Sequence, residues 1–384
     1  MLRFLLMSAL TSMPAAATPL DLLVGAYTTA DAAAPGIYVY RFDAARGRLS
    51  ATPAQAVAAR NPSWLVVAPD GRNVYAVNEN GAGDADPVGR VSRLELDARH
   101  RLVVRESVAS LSDHPTHASL APDGRYLFVA NYSVQAHPGG LLAVVPLDAH
   151  GRLRPVTQVA AYQASAVDPQ RQASSHVHAA ALTPDGRYVL VADLGGDRLY
   201  RYRYAPADHP EHPLVPADPP FLALPPGSGP RHLAFSADGR HAWLTLEMRG
   251  QVAELDLRDG RLALGAIHDL HAAGFAGSDG AGALHLSADG RFLYVVNRGE
   301  DNRIVVFAVD PDDGHLTRLQ ARDTDGANAR EFTFSPDGRF LLIAVQGTDA
   351  IVVVQRDPAT GLLGPTVQRV AVHAPAFLQF LPPR

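Results

Sequence analysis

The chain has 384 residues, of which 47% are hydrophobic and 19% are charged, a composition typical of a folded globular protein and not of a disordered one. Its formal net charge is −5, without a basic stripe or an arginine-rich block, so we predict no nucleic-acid partner. The chain contains no cysteine, which excludes thiol catalysis.

The first residues have the pattern of a secretory signal. Arg3 precedes an apolar run over residues 4–10, and small residues lead to Ala17. We predict a signal peptide over 1–17, cleaved near Ala17, and a single domain over 18–384 that is periplasmic or secreted. If the N-terminus is misassigned, the protein is cytoplasmic instead. No other stretch is long and apolar enough to predict a membrane span.

A short turn motif then recurs along the chain every 48 to 62 residues. Each copy is an Asp-Gly pair followed by Arg, between two apolar runs rich in β-formers. Asp-Gly tolerates the positive φ of a tight turn, so each copy predicts a hairpin. The copies are Asp70-Gly71, Asp123-Gly124, Asp185-Gly186, Asp238-Gly239, Asp289-Gly290 and Asp337-Gly338.

A second turn series alternates with the first. It comprises residues 43–49, 97–102, 148–153, 256–262, 310–316 and 357–363, with an irregular version over 205–214. Two alternating hairpin series give four antiparallel strands per repeat, which is a propeller blade. The run from Asp310 to Gly314 lacks the ligand spacing of a calcium loop, so we interpret it as a turn.

Seven turns of the second series against six Asp-Gly hairpins leave one blade to complete. Residues 374–381 resemble a first strand without a following hairpin, and residues 22–27 resemble a second strand without a preceding one. We therefore predict an all-β, seven-bladed β-propeller with four-stranded antiparallel blades, its ring closed by N- and C-terminal strands that share one blade. Closure removes the exposed sheet edges of an open ring.

The register of these hairpins predicts where a functional site lies. The first strand of a blade lines the channel and the second runs back, so positions equally far before and after each Asp-Gly meet at one end. Counting in this way gathers Arg231, Arg298, Arg330, Glu79 and Glu247 around one opening, together with several histidines. Charges that converge on a narrow channel need a counter-charge or a ligand, which favours a functional site.

Two structural alternatives remain at this stage. Asn131 and Asn297 follow strands, where side-chain amides commonly make turn hydrogen bonds, and His117 and His232 could be ordinary strand histidines. His176 and His178 could together hold a metal, but no carboxylate is assured beside them, and we predict no metal and no cofactor. Zinc-protease, phosphate-loop, dinucleotide and G-x-S-x-G motifs are absent from the sequence.

Taken in chain order, with one set from each blade, the polar residues of the predicted site and their neighbours resemble the seven-bladed lactonase family. This family includes the propeller-type 6-phosphogluconolactonase and the fungal carboxymuconate lactonizing enzyme. The resemblance covers essentially the whole mature chain. It rests on Asn61-Pro62-Ser63 with Asn78-Glu79, Pro115-Thr116-His117 with Asn131-Tyr132, His178, Gly229-Pro230-Arg231-His232, Glu247, His285, Asn297-Arg298 and Arg330.

This resemblance implies a carboxylic ester hydrolase that opens glucono-1,5-lactone or its 6-phosphate at one end of the channel. The implied catalytic residues are His178, Arg231, Glu247 and Arg298, with Glu247 or His178 as the general base and the arginines on the oxyanion and substrate. The implied substrate-binding residues are Glu79, His117, Asn131, Tyr132, His176, His232, Asn297, Arg330 and Gln346.

The implied partner is a small-molecule sugar lactone, bound by a monomer or weak homodimer, and the connection from Tyr162 to Ser175 should overhang the site. Export favours an unphosphorylated lactone, whereas the arginines would also suit a phosphate or a carboxylate. Two alternatives stay open: a cycloisomerase of the carboxymuconate type, and a propeller that binds a ligand without catalysis.

Overall fold

The computed structural model describes residues 20–28, 33–135, 139–258 and 261–382, and these are almost entirely β-structure. The predicted signal over 1–17 and its cleavage near Ala17 lie outside the described residues. Across the described ranges, no helix is long and apolar enough to cross a membrane.

The strands form seven antiparallel sheets arranged as blades. In chain order they are β1 (Leu20–Ala26), β2 (Gly36–Asp43), β3 (Arg48–Leu49), β4 (Gln55–Ala58), β5 (Pro62–Val67), β6 (Asn73–Asn78), β7 (Arg90–Leu96), β8 (Leu102–Ala109), β9 (Pro115–Leu120), β10 (Tyr126–Asn131), β11 (Leu141–Pro146), β12 (Gln158–Ala161), β13 (Val177–Leu182), β14 (Tyr188–Asp193), β15 (Arg198–Tyr204), β16 (Leu214–Ala223), β17 (Pro230–Phe235), β18 (His241–Leu246), β19 (Gln251–Asp256), β20 (Ala263–Asp269), β21 (Asp279–Leu286), β22 (Phe292–Gly299), β23 (Arg303–Val309), β24 (Leu316–Asp323), β25 (Ala329–Phe334), β26 (Phe340–Val345), β27 (Ala350–Arg356), β28 (Leu363–Ala371) and β29 (Pro375–Phe380). Short 3-10 helices follow β18 (Glu247–Arg249) and β26 (Gln346–Thr348).

Blades 2 to 7 each take four consecutive strands, from β5–β8 to β25–β28. Blade 1 contains both ends of the chain: β29 is its innermost strand and pairs antiparallel with β1, Leu23 opposite Gln379. Strand β1 then pairs with β2, whose other edge carries β3 and β4. The predicted seven-bladed ring, closed by a shared terminal blade, is confirmed.

The Asp-Gly turns join the first and second strands, as predicted. Gly71 has a φ of 63°, and its amide donates to the carbonyl of Ala68 at 2.9 Å. The Asp70 carboxylate accepts the amide of Arg72 at 2.8 Å. Glycine therefore supplies the left-handed conformation, and aspartate satisfies the backbone donor that follows it.

The hydrophobic core is divided into layers between blades. Each of seven buried apolar clusters draws its residues from two neighbouring blades, and together the clusters cover all seven junctions. Between blades 2 and 3, for example, Tyr75 and Val91 pack with Leu127 and Ala143. Strands β6 and β10 are buried along their whole length because each is covered on both faces.

At the outside of the ring, the described residues form a repeated hydrogen bond at six junctions, which we call the interblade clamp. A Gln or Glu of one blade accepts the amide of the leucine that closes the outer turn of the next blade. Gln320, for example, accepts the amide of Leu363 at 2.8 Å and donates to its carbonyl at 2.9 Å. The clamp pairs are Gln55–Leu102, Glu106–Leu153, Gln158–Leu214, Glu254–Leu316, Gln320–Leu363 and Gln368–Leu49.

The innermost strand of every blade has a β-bulge near its start. In blade 4, Val177 pairs with Asp193 and Ala179 with Ala192, which leaves His178 outside the pairing. The bulges lie at Ser63, Thr116, His178, Arg231–His232, Gly282–Ala283, Arg330 and Ala376. Because a bulge redirects a side chain, the same bulge in each blade aims one position per blade at the channel.

Candidate active site

One carboxylate at the mouth of the channel binds three arginines. The Oε1 atom of Glu247 accepts Nη2 of Arg171 at 2.7 Å, and its Oε2 lies 2.9 Å from Nε of Arg231 and 2.9 Å from Nη2 of Arg298. The arginines come from the connection before blade 4, from the bulge of blade 5 and from the end of β22 in blade 6. The site therefore joins three successive parts of the ring.

Local structure fixes these side chains. Glu247 opens the 3-10 helix after β18, where its amide donates to the carbonyl of Gly229 at 2.7 Å. Arg298 is held by Nε, which donates to the carbonyl of Gly280 at 3.3 Å.

A second cluster lies across the ring closure. Glu79 of blade 2 accepts the Tyr27 hydroxyl at 2.6 Å and Nη2 of Arg330 at 3.1 Å. The Arg330 guanidinium also lies 5.1 Å from the centre of the Tyr27 ring. Blades 1, 2 and 7 are thus connected by one carboxylate, one phenol and one guanidinium.

The two clusters carry more positive than negative charge. Four arginines (171, 231, 298 and 330) face two glutamates (79 and 247), which gives a net charge of 4 − 2 = +2. Burial alone would raise the pKa of Glu247, but Arg298 and Arg231 outweigh it and hold that pKa well below its usual range. Burial, reinforced by Arg298, lowers the pKa of Arg231 to about 9. Both groups remain charged at neutral pH.

Three buried histidines lie beside the charged groups. The rings of His178 and His232 are 5.1 Å apart, and those of His232 and His117 are 5.6 Å apart. Burial, followed by the charge of Arg231, lowers the pKa of all three, to about 3 for His117. All three are therefore neutral at pH 7. Nδ1 of His178 and Nε2 of His232 are buried, and neither has a hydrogen-bond partner among the described residues.

Tyr132 and His176 flank the same mouth from blades 3 and 4. Arg171 donates to the Tyr132 hydroxyl at 3.3 Å, and the Tyr132 ring stacks on His176 at 4.5 Å. Nδ1 of His176 donates to the carbonyl of Ser133 at 2.7 Å. His176 therefore supports Tyr132.

Three other predicted residues occupy different environments. The amide of Asn131 donates to the carbonyl of Leu141 at 3.2 Å, and the fully buried Asn297 accepts the amide of Gly280 at 3.1 Å. Both asparagines hold backbone at strand ends, as in the structural alternative noted from the sequence. Gln346 opens a 3-10 helix in blade 7 at the place that Glu247 occupies in blade 5.

Two residues of the charged clusters were not predicted. Arg171 lies in the connection between β12 and β13, outside any repeated register, although this connection was predicted to overhang the site. Tyr27 follows β1, which has no Asp-Gly hairpin before it to count from. Trp64 lies beside the buried histidines, with its ring 4.5 Å from that of His117.

Below these rings the channel opens into a second space. This lower chamber is a cavity of about 530 Å³, lined by Trp64, His117, Phe332 and Phe377 among others. It also contains the pair formed by His285 and Glu331, whose Nε2 and Oε1 atoms are 2.5 Å apart. His285 thus belongs to the opposite end of the channel from Glu247.

The fold and mouth define a seven-bladed propeller with an arginine-rich, anion-attracting site. Residues 21–380 match the family model described as "Lactonase, 7-bladed beta-propeller", and the chain belongs to this family. It is similar to proteins named 6-phosphogluconolactonase from Bacillus subtilis, 29% identical over 93% of this chain and 97% of that protein, and from Formosa agariphila, 26% identical over 90% and 95%.

Two solved structures are also similar. A Pseudomonas aeruginosa structure described as a periplasmic gluconolactonase is 52% identical, with a TM-score of 0.91 over 95% of this chain and 99% of that one. A putative 6-phosphogluconolactonase from Bacteroides fragilis is 33% identical, with a TM-score of 0.85 over 97% of this chain and 100% of that one. These relatives support lactone hydrolysis as the general activity.

Proposed function

We propose that the protein hydrolyses a sugar 1,5-lactone to its aldonic acid at the mouth formed around Glu247, with unphosphorylated glucono-1,5-lactone as the preferred substrate. The observation that carries this proposal is the convergence of two guanidinium groups on one carboxylate, beside the neutral imidazole of His178, whose Nδ1 makes no hydrogen bond within the part of the chain that the structure describes. The similarity to a periplasmic gluconolactonase supports the unphosphorylated substrate.

The arginines supply electrostatic stabilisation of the transition state. When water attacks the lactone carbonyl, negative charge develops on the carbonyl oxygen, and donors fixed beforehand at that position stabilise it. Arg231 and Arg298 are fixed by their shared partner, Glu247. The net charge of +2 across the two clusters favours an oxyanion over the neutral ground state, which is the difference that accelerates a reaction.

We assign proton transfer to His178. Both carboxylate oxygens of Glu247 are occupied by arginines, so we assign Glu247 the role of holding them. Nδ1 of the neutral His178 accepts a proton from water as the new C–O bond forms. The tetrahedral intermediate then breaks its ring C–O bond, and the departing ring oxygen takes the proton from His178 to become a hydroxyl group.

The remaining mouth residues bind and orient the substrate in this scheme. Glu79, Tyr132, Gln346 and Arg330 offer acceptors and donors for sugar hydroxyls. His176, Asn131 and Asn297 act by holding those residues and the adjacent backbone, and His117 and His232 form the floor below them. No step of the scheme is routed through a metal or a cofactor.

The test is proton release from glucono-1,5-lactone and from its 6-phosphate, measured with the chain from residue 18 onward. We expect Arg298→Gln to lower kcat roughly 10²–10³-fold and His178→Gln to lower it roughly 10²–10⁴-fold. Arg303→Gln is a matched control, since Arg303 lies in the same blade and its side chain is 47% exposed.

Each result has a defined meaning. If His178→Gln retains the rate of the wild type, then His178 is not the base. Absence of hydrolysis above the spontaneous rate with either lactone refutes the proposal and directs the search to a carboxymuconate lactone. Absence of turnover there as well leaves a propeller that binds without catalysis.

We also infer export through the signal over 1–17. Cell fractionation of the host tests this, and a protein recovered at full length in the cytoplasmic fraction would contradict it.

A further inference from the structure

We propose a binding site for a divalent transition metal, with Zn²⁺ as the best match, at the outer junction of blades 5 and 6. Its ligands are Glu254 on β19, His268 on β20 and His315 in the turn before β24. Nε2 of His268 and Nδ1 of His315 lie 2.7 Å and 3.1 Å from Oε1 of Glu254. The three ligand atoms all lie within 4.8 Å of one another.

These separations fit a common coordination shell. Zinc bonds to imidazole nitrogen and carboxylate oxygen of about 2.0–2.1 Å place tetrahedral ligand atoms about 3.3 Å apart. The two separations from Oε1 of Glu254, 2.7 Å and 3.1 Å, need to widen by about 0.6 Å and 0.2 Å, which rotation about side-chain bonds supplies. Two imidazoles and one carboxylate are ligands that zinc prefers, and the fourth position would be taken by water.

The surroundings fix the ligands and leave an approach from solvent. Glu254 accepts the amide of Leu316 at 2.8 Å, and the indole of Trp243 donates to the carbonyl of Gly314 at 3.0 Å, which anchors the turn that carries His315. His268 packs near Phe307. The side chain of His315 is 54% exposed, whereas those of Glu254 and His268 are 15% and 21% exposed.

The side chain that forms the interblade clamp differs between junctions, and this difference independently supports a metal site at Glu254. At four junctions the interblade clamp is a glutamine, which makes both hydrogen bonds to the leucine. At two junctions the clamp residue is a glutamate instead. Glu106 accepts Nε of Arg93 at 3.0 Å, which accounts for its charge, whereas Glu254 has a histidine on either side. An anionic carboxylate is a metal ligand, and a glutamine amide is a poor one.

The variant Glu254→Gln separates the two roles of this residue. Glutamine keeps an oxygen for the Leu316 amide, as at the other junctions, and removes the anionic ligand. The matched control is Glu106→Gln, because Glu106 forms the same clamp with Leu153 at 2.8 Å, with no histidine bonded to it among the described residues. His268→Asn and His315→Asn remove one nitrogen ligand each.

The experiment is a titration of the chelator-treated protein with Zn²⁺ by calorimetry, together with its Tm with and without Zn²⁺ and the absorption spectrum with Co²⁺. We expect one strong site, a higher Tm with Zn²⁺ and a tetrahedral Co²⁺ spectrum. Glu254→Gln, His268→Asn and His315→Asn should each weaken binding by more than about 100-fold, beyond the loss that outer-shell changes cause. Glu106→Gln should bind as the wild type does.

Strong binding that persists in Glu254→Gln and His268→Asn would place the ion elsewhere and overturn the proposal, as would the absence of saturable binding to the wild type. The Tm without metal distinguishes these outcomes from misfolding, since Glu254→Gln retains the clamp. Lactone hydrolysis is not the readout, so this proposal can fail while the proposed function holds.

Discussion

Replacing Glu247 with glutamine tests the central ion cluster. The substitution keeps the side-chain volume and removes the negative charge that three guanidinium groups share. The side chains of these partners are 1% exposed in Arg231, 19% in Arg298 and 44% in Arg171. The cost should therefore arise mainly at Arg231, which would remain a buried cation without its carboxylate, and such losses cost about 3–5 kcal/mol.

The same variant should lose activity in a pH-dependent way. Glu247 raises the pKa of Arg231 against the effect of burial, so its removal lowers that pKa further below about 9. The variant should consequently lose its remaining rate at a lower pH than the wild type does. Without Glu247, the guanidinium groups of Arg231 and Arg298 lose the carboxylate that fixes them. The loss of these two ordered donors should lower kcat by at least the roughly 10²–10³-fold that one such donor contributes.

Urea unfolding followed by tryptophan fluorescence measures the stability, and proton release across a pH series measures the rate. Arg171→Gln is the comparison, because it removes the most exposed partner of the same carboxylate and should cost less than about 1 kcal/mol. Equal stability of Glu247→Gln and the wild type would refute the reasoning that a buried charge depends on this carboxylate. Parallel pH profiles would refute the link to Arg231.

Three further predictions follow from the same contacts. Arg171→Ala should raise KM for the lactone with little change in the urea midpoint, because Arg171 lies on the rim and binds Tyr132 and Glu247 from an exposed connection; an unchanged KM would contradict this. The depressed pKa values of His117, His178 and His232 mean that the unfolded chain binds protons below about pH 6.5 that the folded chain does not. Stability should then fall as the pH falls from 6.5 to 5, with His117 alone contributing about 1.6 kcal/mol, as urea midpoints at the two values would show. Gln320→Ala should cost about 1–3 kcal/mol, measured in the same way, because it removes both clamp bonds to a half-buried backbone without affecting the mouth.

The fold could be predicted because each hairpin marks its own register. Gly71 and its counterparts must adopt positive φ, and they recur once in each of blades 2 to 7. The closing blade followed from two strands without partners at the ends of the chain. The irregular turn over 205–214 weakened the series in blade 4 but did not interrupt it, since β15 and β16 still pair.

The charged mouth was predictable for a related reason. Counting from the hairpin glycine reaches the same bulge in each blade, so Arg231 and Arg330 emerge at equivalent positions. The count gives a position along the strand and not the direction of a side chain. Asn131 was therefore grouped with the mouth although its amide bonds to backbone. Arg171 lies in a connection with no periodic register, which is why no count could find it.

Closure of the ring and assembly of the site depend on the same contacts. Glu79 of blade 2 bonds to Tyr27 of blade 1 and to Arg330 of blade 7, so these three side chains meet only after β29 has paired with β1. An open ring would separate Arg330 from its carboxylate and leave half of the mouth unformed. The Gln320 clamp stabilises the ring and lies outside the mouth, whereas Glu79 takes part both in the closure of the ring and in the mouth. Substitutions at Glu79 should therefore lower stability and lactone hydrolysis together, and substitutions at the clamps should lower stability alone.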